Sequence, residues 1–169
     1  MTNTVRFTVV VLLASFAVAV LATSAWASDA QKSFDQIKSL AGAWEGKNSQ
    51  GQPLTVTFRS TAGGSAIMSE INGKGENMIT MFHLDGPDRL LMTHYCAAGN
   101  QPRMQANASP DGKTITFNFV DGTGIEGAHM GHMQQLVITM ADANHHIEEW
   151  TFDQQGKQMK EVFELHRKD

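Results

Sequence analysis

The residue types best suited to chemistry gather in one stretch, residues 93–104, with the sequence THYCAAGNQPRM. It holds the only Cys, Cys96, and the only Tyr, Tyr95, with His94 two positions before the Cys and Arg103 directly after a Pro. A thiol near an imidazole can serve as a nucleophile with its base or as a pair of metal ligands. A guanidinium can hold a carboxylate through two hydrogen bonds. The elements that carry these side chains decide among these roles.

Those elements are short. From residue 43 onward, runs of alternating apolar and polar residues are separated by turn signals such as Asp85-Gly86-Pro87-Asp88. This pattern predicts about ten strands, at 43–47, 54–60, 65–71, 77–84, 89–96, 102–108, 114–120, 133–140, 145–152 and 159–167. No crossover helix intervenes, so consecutive strands should pair antiparallel. We expect an all-β, antiparallel up-and-down barrel, because closure removes both open edges. A two-sheet sandwich is the alternative.

One helix is predicted before the strands. In residues 28–41, Phe34, Ile37 and Leu40 recur at helical spacing, Ser33 is a candidate N-cap, and Gly42 ends the pattern. This helix and the strands make one domain, 28–169.

Residues 1–27 have the pattern of a cleaved signal peptide. Arg6 is followed by an apolar run over residues 7–22 and by Ala25-Trp26-Ala27, which fits a cleavage site before Ser28. The alternative is a transmembrane anchor, for which the apolar run is slightly short. We therefore expect an exported protein, periplasmic or secreted, without a stable membrane anchor after cleavage.

Charge and cysteine content narrow the partners. Removing residues 1–27 takes away Arg6 and no acid, which leaves 12 basic and 17 acidic side chains and a formal charge of −5. An acidic chain without a basic cluster argues against nucleic acid as a partner. A single Cys cannot form an internal disulfide. No feature of the sequence specifies an oligomeric state.

The segment Leu40-Ala41-Gly42-Ala43-Trp44-Glu45-Gly46 resembles the G-x-W signature that opens lipocalins and related calycin barrels. In that family the motif follows a short helix and leads into the first strand. The resemblance implies that Trp44 packs across the closed end of the barrel against a basic residue near the end of the last strand. Arg167 is in the matching place, with Lys168 as the poorer candidate.

The chain departs from typical secreted lipocalins because it cannot form a disulfide and lacks a clear T-D-Y motif. It is more similar to lipocalin-like domains of unknown function in exported bacterial proteins, which also show a T-H-Y-C…G-N-Q-P-R-M stretch. Another calycin relative, nitrobindin, binds haem through one His inside its barrel. No His of this sequence is matched to that one.

Strand alternation predicts which side chains face the lumen. On the strand at 89–96, Leu90, Met92, His94 and Cys96 share one face, and Leu91, Thr93 and Tyr95 share the other. The first face is the better candidate for the lumen because it begins apolar. On the next strand either face can point inward, and Arg103 grips a ligand only if the polar face does. The predicted ligand-binding residues are His94, Cys96, Arg103, Met92 and Gln105.

A metal site is a second hypothesis. His129 and His132 lie close together in a Gly-rich loop and, with His94 and Cys96, offer nitrogen and sulfur ligands. No C-x-x-C or H-E-x-x-H motif supports such a site. In the alternative without a metal, His94 is a buried, hydrogen-bonded histidine and Cys96 fills the core. His129 and His132 are then exposed loop histidines. The sequence identifies no cofactor.

An enzyme is the third hypothesis. Side chains at i and i+2 on a strand are roughly 6–7 Å apart, which separates His94 from Cys96 too far for a direct hydrogen bond. Glu148 and Glu149 are adjacent and point to opposite faces, so they can supply one inward carboxylate but not a catalytic pair. Glu70 and Glu149 are possible lumen acids, and a rim position is the favoured alternative for each. The function favoured is therefore the binding of a small, partly apolar or amphipathic molecule.

Overall fold

The computed structural model describes residues 28–74, 76–127 and 130–168. Helix α1, Asp29–Ser39, is followed by ten strands: β1 Gly42–Lys47, β2 Pro53–Thr61, β3 Ala66–Gly73, β4 Glu76–Leu84, β5 Leu90–Tyr95, β6 Gln101–Ala108, β7 Thr114–Thr123, β8 His132–Asp142, β9 His145–Gln154 and β10 Lys157–Arg167. Each strand pairs antiparallel with the next, and β1 pairs antiparallel with β10. The predicted all-β up-and-down barrel is confirmed, and the sandwich alternative is wrong.

Helix α1 covers one end of the barrel, which we call the closed end. Ser28 caps the helix, because its extended backbone lets its Oγ accept a hydrogen bond from the Gln31 amide at 3.2 Å. The predicted cap, Ser33, is instead buried within the helix. Phe34 and Ile37 face the barrel and join its core. The amphipathic spacing of α1 thus places an apolar plug against the closed end.

Strand alternation fills the lumen with apolar side chains. Along β2, Leu54, Val56 and Phe58 are buried while the intervening residues are more exposed. The same alternation of buried and exposed residues is found along most strands of the barrel and gives one continuous core. Its fully buried large side chains include Trp44, Phe58, Phe82, Met92, Met104, Phe117, Leu136 and Ile138.

The closing seam between β1 and β10 carries the G-x-W residues. Arg167 lies over Trp44, with its guanidinium carbon 4.2 Å from the ring centre. The indole Nε1 donates to the Leu40 carbonyl at 2.7 Å, which ties β1 to the end of α1. Gly42 has a φ of 127°, and a Cβ there would lie 3.0 Å from Arg167 Nη1. The contact implied by the lipocalin resemblance is therefore present, and it is made by Arg167.

The N-terminal prediction lies outside the described residues, because residues 1–27 are not among them. Within the described part of the chain, no helix combines the length and apolar character that crossing a membrane requires. Cleavage before Ser28 and export stay predictions.

Candidate ligand site in the barrel

His94 lies inside the barrel on β5, fully buried. Its Nδ1 is 2.9 Å from Thr80 Oγ1 on β4, and its ring packs against Trp150 of β9 with centroids 4.6 Å apart. Its Nε2 is buried and has no hydrogen-bond partner among the described residues. Burial away from water lowers the pKa of His94 from 6.5 to about 4, so the imidazole is neutral near pH 7.

A second set of polar side chains lies nearer the closed end of the barrel, on alternate residues of β9. The Glu148 carboxylate is 1% exposed; it accepts a hydrogen bond from Trp150 Nε1 at 3.0 Å and lies 3.3 Å from His146 Nε2. The His146 ring in turn packs edge-on against Trp44, with centroids 4.3 Å apart. Polar side chains therefore extend from the floor of the barrel at Trp44 to the layer of His94.

Sequence reasoning missed this group. It allowed one inward carboxylate from Glu148 and Glu149 but named Glu149 as the possible lumen acid. Glu149 points outward and binds Lys160 on β10, whereas Glu148 faces inward. The detectable signal was the period of two in His146, Glu148 and Trp150, which places the three on one face of a strand. A buried carboxylate next to an indole N–H is satisfied without a catalytic partner.

A cavity of about 450 Å³ opens at the end of the barrel opposite α1, which we call the mouth. Its apolar walls come from six strands, β2, β3, β4, β8, β9 and β10. The β1–β2 loop, the residue after β3 and the start of β10 add polar groups at its rim. Trp150 connects it to the polar interior, because its ring both lines the cavity and packs on His94. The lining residues are Asn48, Gln50, Gln52, Pro53, Leu54, Ile71, Gly73, Lys74, Met78, Met133, Trp150, Phe152, Met159, Lys160, Glu161 and Phe163.

The five predicted ligand-binding residues divide between the two faces of the barrel. Met92 and His94 are fully buried in the interior, and Cys96 packs partly buried against the core just beyond the end of β5. Gln105 lies half-buried on the outer face beside α1. None of the five lines the mouth cavity.

Arg103 is on the outer face as well, which is the solvated one of the two alternatives that the sequence left open. Its Nε donates to Asp121 Oδ1 at 2.9 Å and its Nη2 contacts Asp121 Oδ2, with the Arg103 side chain 49% exposed. The reason is the apolar face of β6: Met104 pairs in register with Met92 and is fully buried. Once Met104 points inward, Arg103 and Gln105 must point outward.

The loop within residues 93–104 has a structural role. The Cys96 amide donates to the Asn100 carbonyl at 3.0 Å, which closes the turn between β5 and β6. Asn100 is fully buried, and its Nδ2 donates to the Gly131 carbonyl at 2.8 Å. The stretch thus anchors the loop that leads into β8.

The predicted metal ligands are not assembled in the described structure. His132 packs on Phe119, with centroids 4.3 Å apart, whereas His94 packs on Trp150. His129 lies outside the described residues. In residues 28–74, 76–127 and 130–168, no group of three or more His, Cys, Asp or Glu side chains is arranged to hold a metal ion.

Comparison with solved structures finds the same kind of fold. The crystal structure of Rv2717c from M. tuberculosis matches with a TM-score of 0.58 and 14% sequence identity, over 81% of this chain and 98% of that chain. No family model matches the sequence. A search of curated proteins also finds no match. The structural likeness concerns the barrel fold alone.

Proposed function

We propose that the chain is an exported binding protein whose barrel takes up a small, partly apolar or amphipathic molecule through the mouth. The observation that carries the proposal is the mouth cavity, with a volume of about 450 Å³ and walls made largely of apolar side chains. Small-molecule sites typically occupy about 300–1,000 Å³ and combine apolar walls with a few polar groups.

The composition of the wall indicates the ligand class. Met78, Met133 and Met159 line the cavity with Trp150 and Phe152. Thioether side chains adapt to apolar partners of varied shape, and aromatic rings provide broad contact surfaces. Lys74 and the side-chain amides of the β1–β2 loop lie at the rim, where a polar end of the ligand can stay in water. An amphipathic molecule with its apolar part inward fits this division.

A titration with a fluorescent fatty-acid analogue tests the proposal. We expect saturable binding that places the fluorophore in an apolar environment. Met159 lines the cavity and is 49% exposed, so Met159→Glu puts a charge into the mouth without disturbing the core. Removing about half of a Met contact costs about 1 kcal/mol, or about fivefold in Kd, and the carboxylate adds to this loss.

Val120→Glu is the matched control. Val120 is 47% exposed and does not line the cavity, so this substitution adds the same charge elsewhere and should leave the Kd unchanged. Absence of saturable binding would refute the proposal. Equal weakening by the two substitutions would move the binding site away from the mouth.

Export is tested separately by N-terminal sequencing of the protein from the cell envelope or medium of an expressing bacterium. We expect the mature chain to begin at Ser28. Retention of Met1 in all the protein recovered would contradict export by cleavage.

Metal or haem binding through His94, Cys96, His129 and His132 is the second candidate. It is favoured by the neutral, buried imidazole of His94, whose Nε2 has no partner among the described residues. The fit is poor, because His94 does not line the mouth cavity and an ion entering there would first have to displace Trp150. A Soret band or stoichiometric metal in the protein as isolated would favour this candidate over the first.

A further inference from the structure

Two histidines distant in sequence meet on the outer face of the barrel, near its closed end. His145 of β9 and His166 of β10 are direct register partners. Their rings stack with centroids 4.4 Å apart and an interplanar angle of 16°. Both side chains point outward, because the neighbouring His146 and Leu165 are fully buried in the barrel. This pair is therefore separate from the barrel interior and from the mouth.

Carboxylates flank the pair on both sides. Asp142 of β8 is the register partner of His145, and Glu45 of β1 is the register partner of His166. Directly opposed residues on neighbouring strands have Cβ atoms about 4.5–5.5 Å apart. The four residues thus occupy one row of paired positions across four strands, in the order acid, imidazole, imidazole, acid, with a register shift on the β8 side between Met140 and Asp142.

The present contacts of the row leave ligand atoms available. His145 Nε2 is buried and has no hydrogen-bond partner among the described residues. Asp142 Oδ1 accepts from the Asn144 amide at 2.8 Å, and Glu45 pairs with Lys168 at 3.5 Å across an exposed surface. Each carboxylate has a second oxygen that can act as an acceptor. The exposed ion pair between Glu45 and Lys168 contributes little stability, so Glu45 can exchange this partner for another cation.

We propose that His145 and His166 form a surface site for a first-row divalent transition-metal ion such as Zn²⁺. Neutral imidazole is a preferred ligand of such ions, with Zn–N bonds of about 2.0–2.1 Å. Two rings on opposed strand positions can turn from stacking to share one ion between them. Two water molecules complete the tetrahedral shell, and the flanking carboxylates of Asp142 and Glu45 add negative charge beside it.

The test is calorimetric titration of ZnCl₂ into the purified protein, made without a histidine tag. We expect one saturable equivalent per chain. His145→Ala and His166→Ala should each weaken this binding by at least about tenfold, since loss of even an indirect ligand contact costs 10–100-fold. Because chelation needs both rings, each single substitution should have nearly the effect of the double substitution.

Two control variants test whether zinc binding depends on the His145–His166 pair. His83→Ala removes an imidazole on the outer face of β4, and Cys96→Ser removes the thiol; both should leave the Zn²⁺ affinity unchanged. His166 is exposed, so His166→Gln should retain the fold by circular dichroism while losing zinc affinity. Zinc binding that persists in the double His variant, or that depends on Cys96 or His83, overturns the proposal. So does a wild-type protein that binds no zinc.

Discussion

The guanidinium carbon of Arg167 lies 4.2 Å from the centre of the Trp44 ring, and the same side chain donates to the carbonyls of Ala41 at 2.9 Å and Ser39 at 3.1 Å. The last strand is thereby joined both to the first strand and to the end of α1. One side chain thus links the closing seam of the barrel to the helix that covers its closed end.

The first prediction concerns this link. Arg167→Met should lower the free energy of unfolding by about 2 kcal/mol, because it removes a cation–π contact and the charge-assisted hydrogen bonds to backbone carbonyls. Urea denaturation measures the change. Lys168→Met is the control, since the side chain of Lys168 makes an exposed ion pair with Glu45 and its loss should change stability much less. Equal losses of unfolding free energy in the two variants would mean that the change in net charge, and not the contact with Trp44 and α1, is responsible.

The second prediction concerns the close approach of β1 and β10. A Cβ on Gly46 would lie 1.9 Å from the Glu164 carbonyl oxygen, a backbone atom of the neighbouring strand. Gly46→Ala should therefore part the seam and cost more than about 3 kcal/mol, at or beyond the upper range for overpacking. Gly73→Ala, whose nearest neighbour is Leu54 Cβ at 4.0 Å, should stay within about 1 kcal/mol of wild type. Thermal unfolding distinguishes the two variants.

The third prediction follows from the lowered pKa of His94, about 4 in the folded protein. Above the unfolded pKa of 6.5, the imidazole is neutral in both states and adds no pH dependence. Between pH 6.5 and about 4, the unfolded chain binds a proton that the folded chain does not, so the free energy of unfolding falls as pH falls. This contribution amounts to about 3 kcal/mol over that range.

Urea denaturation at about pH 7 and about pH 4.5 measures the acid-dependent loss. In His94→Phe the part due to this group should vanish, so the loss between the two pH values should be smaller than in wild type. His83→Gln, which alters a histidine on the outer face, should retain the wild-type difference. An unchanged difference in His94→Phe would show that other groups carry the acid sensitivity.

The fourth prediction concerns the inner carboxylate. Glu148→Leu removes the acceptor of Trp150 Nε1 and leaves this buried donor and His146 Nε2 without a partner. Each unsatisfied buried group costs about 1–3 kcal/mol, so we expect a loss of about 3 kcal/mol and a shift in tryptophan emission. Glu148→Gln keeps an acceptor oxygen for the indole and should lose less. Similar losses in both variants would assign the effect to charge instead of to the hydrogen bond.

The fifth prediction separates the outer surface from the mouth. Arg103→Ala should leave the affinity for the fluorescent fatty-acid analogue unchanged, because Arg103 pairs with Asp121 outside the barrel. Met133→Glu changes a cavity-lining residue and should weaken probe binding in the same assay. A loss of affinity in Arg103→Ala would place a ligand contact on the outer face of β6.

Local patterns were sufficient to predict most of the fold. Turn signals and alternation located all ten strands to within about three residues at each end, and the helical spacing of Phe34 and Ile37 located α1. Alternation also predicted that Met92 and His94 share the inner face of β5, because Leu90 and Met92 make that face the more apolar of the two. The cap of α1 was assigned to Ser33 instead of Ser28, since both residues offer a hydroxyl at the start of a helical pattern.

The site was less predictable from the sequence. Both faces of β6 were acceptable by composition, and the register that places Met104 beside Met92 decided that Arg103 faces solvent. Glu148 and Glu149 are chemically identical neighbours, and only the burial of β9 distinguishes the inner acid from the outer one.

Hydrophobic alternation and turn chemistry act over a few residues, so the order of the elements and the period of each strand can be read from the sequence alone. Tertiary structure decided which strands meet and therefore which side chains meet. The mouth cavity draws its wall from six strands, and the imidazoles of His145 and His166 adjoin only because β9 pairs with β10 in one register. Likewise, Arg167 reaches Trp44 only because β10 closes the barrel against β1. Such juxtapositions depend on long-range register, which no local pattern encodes.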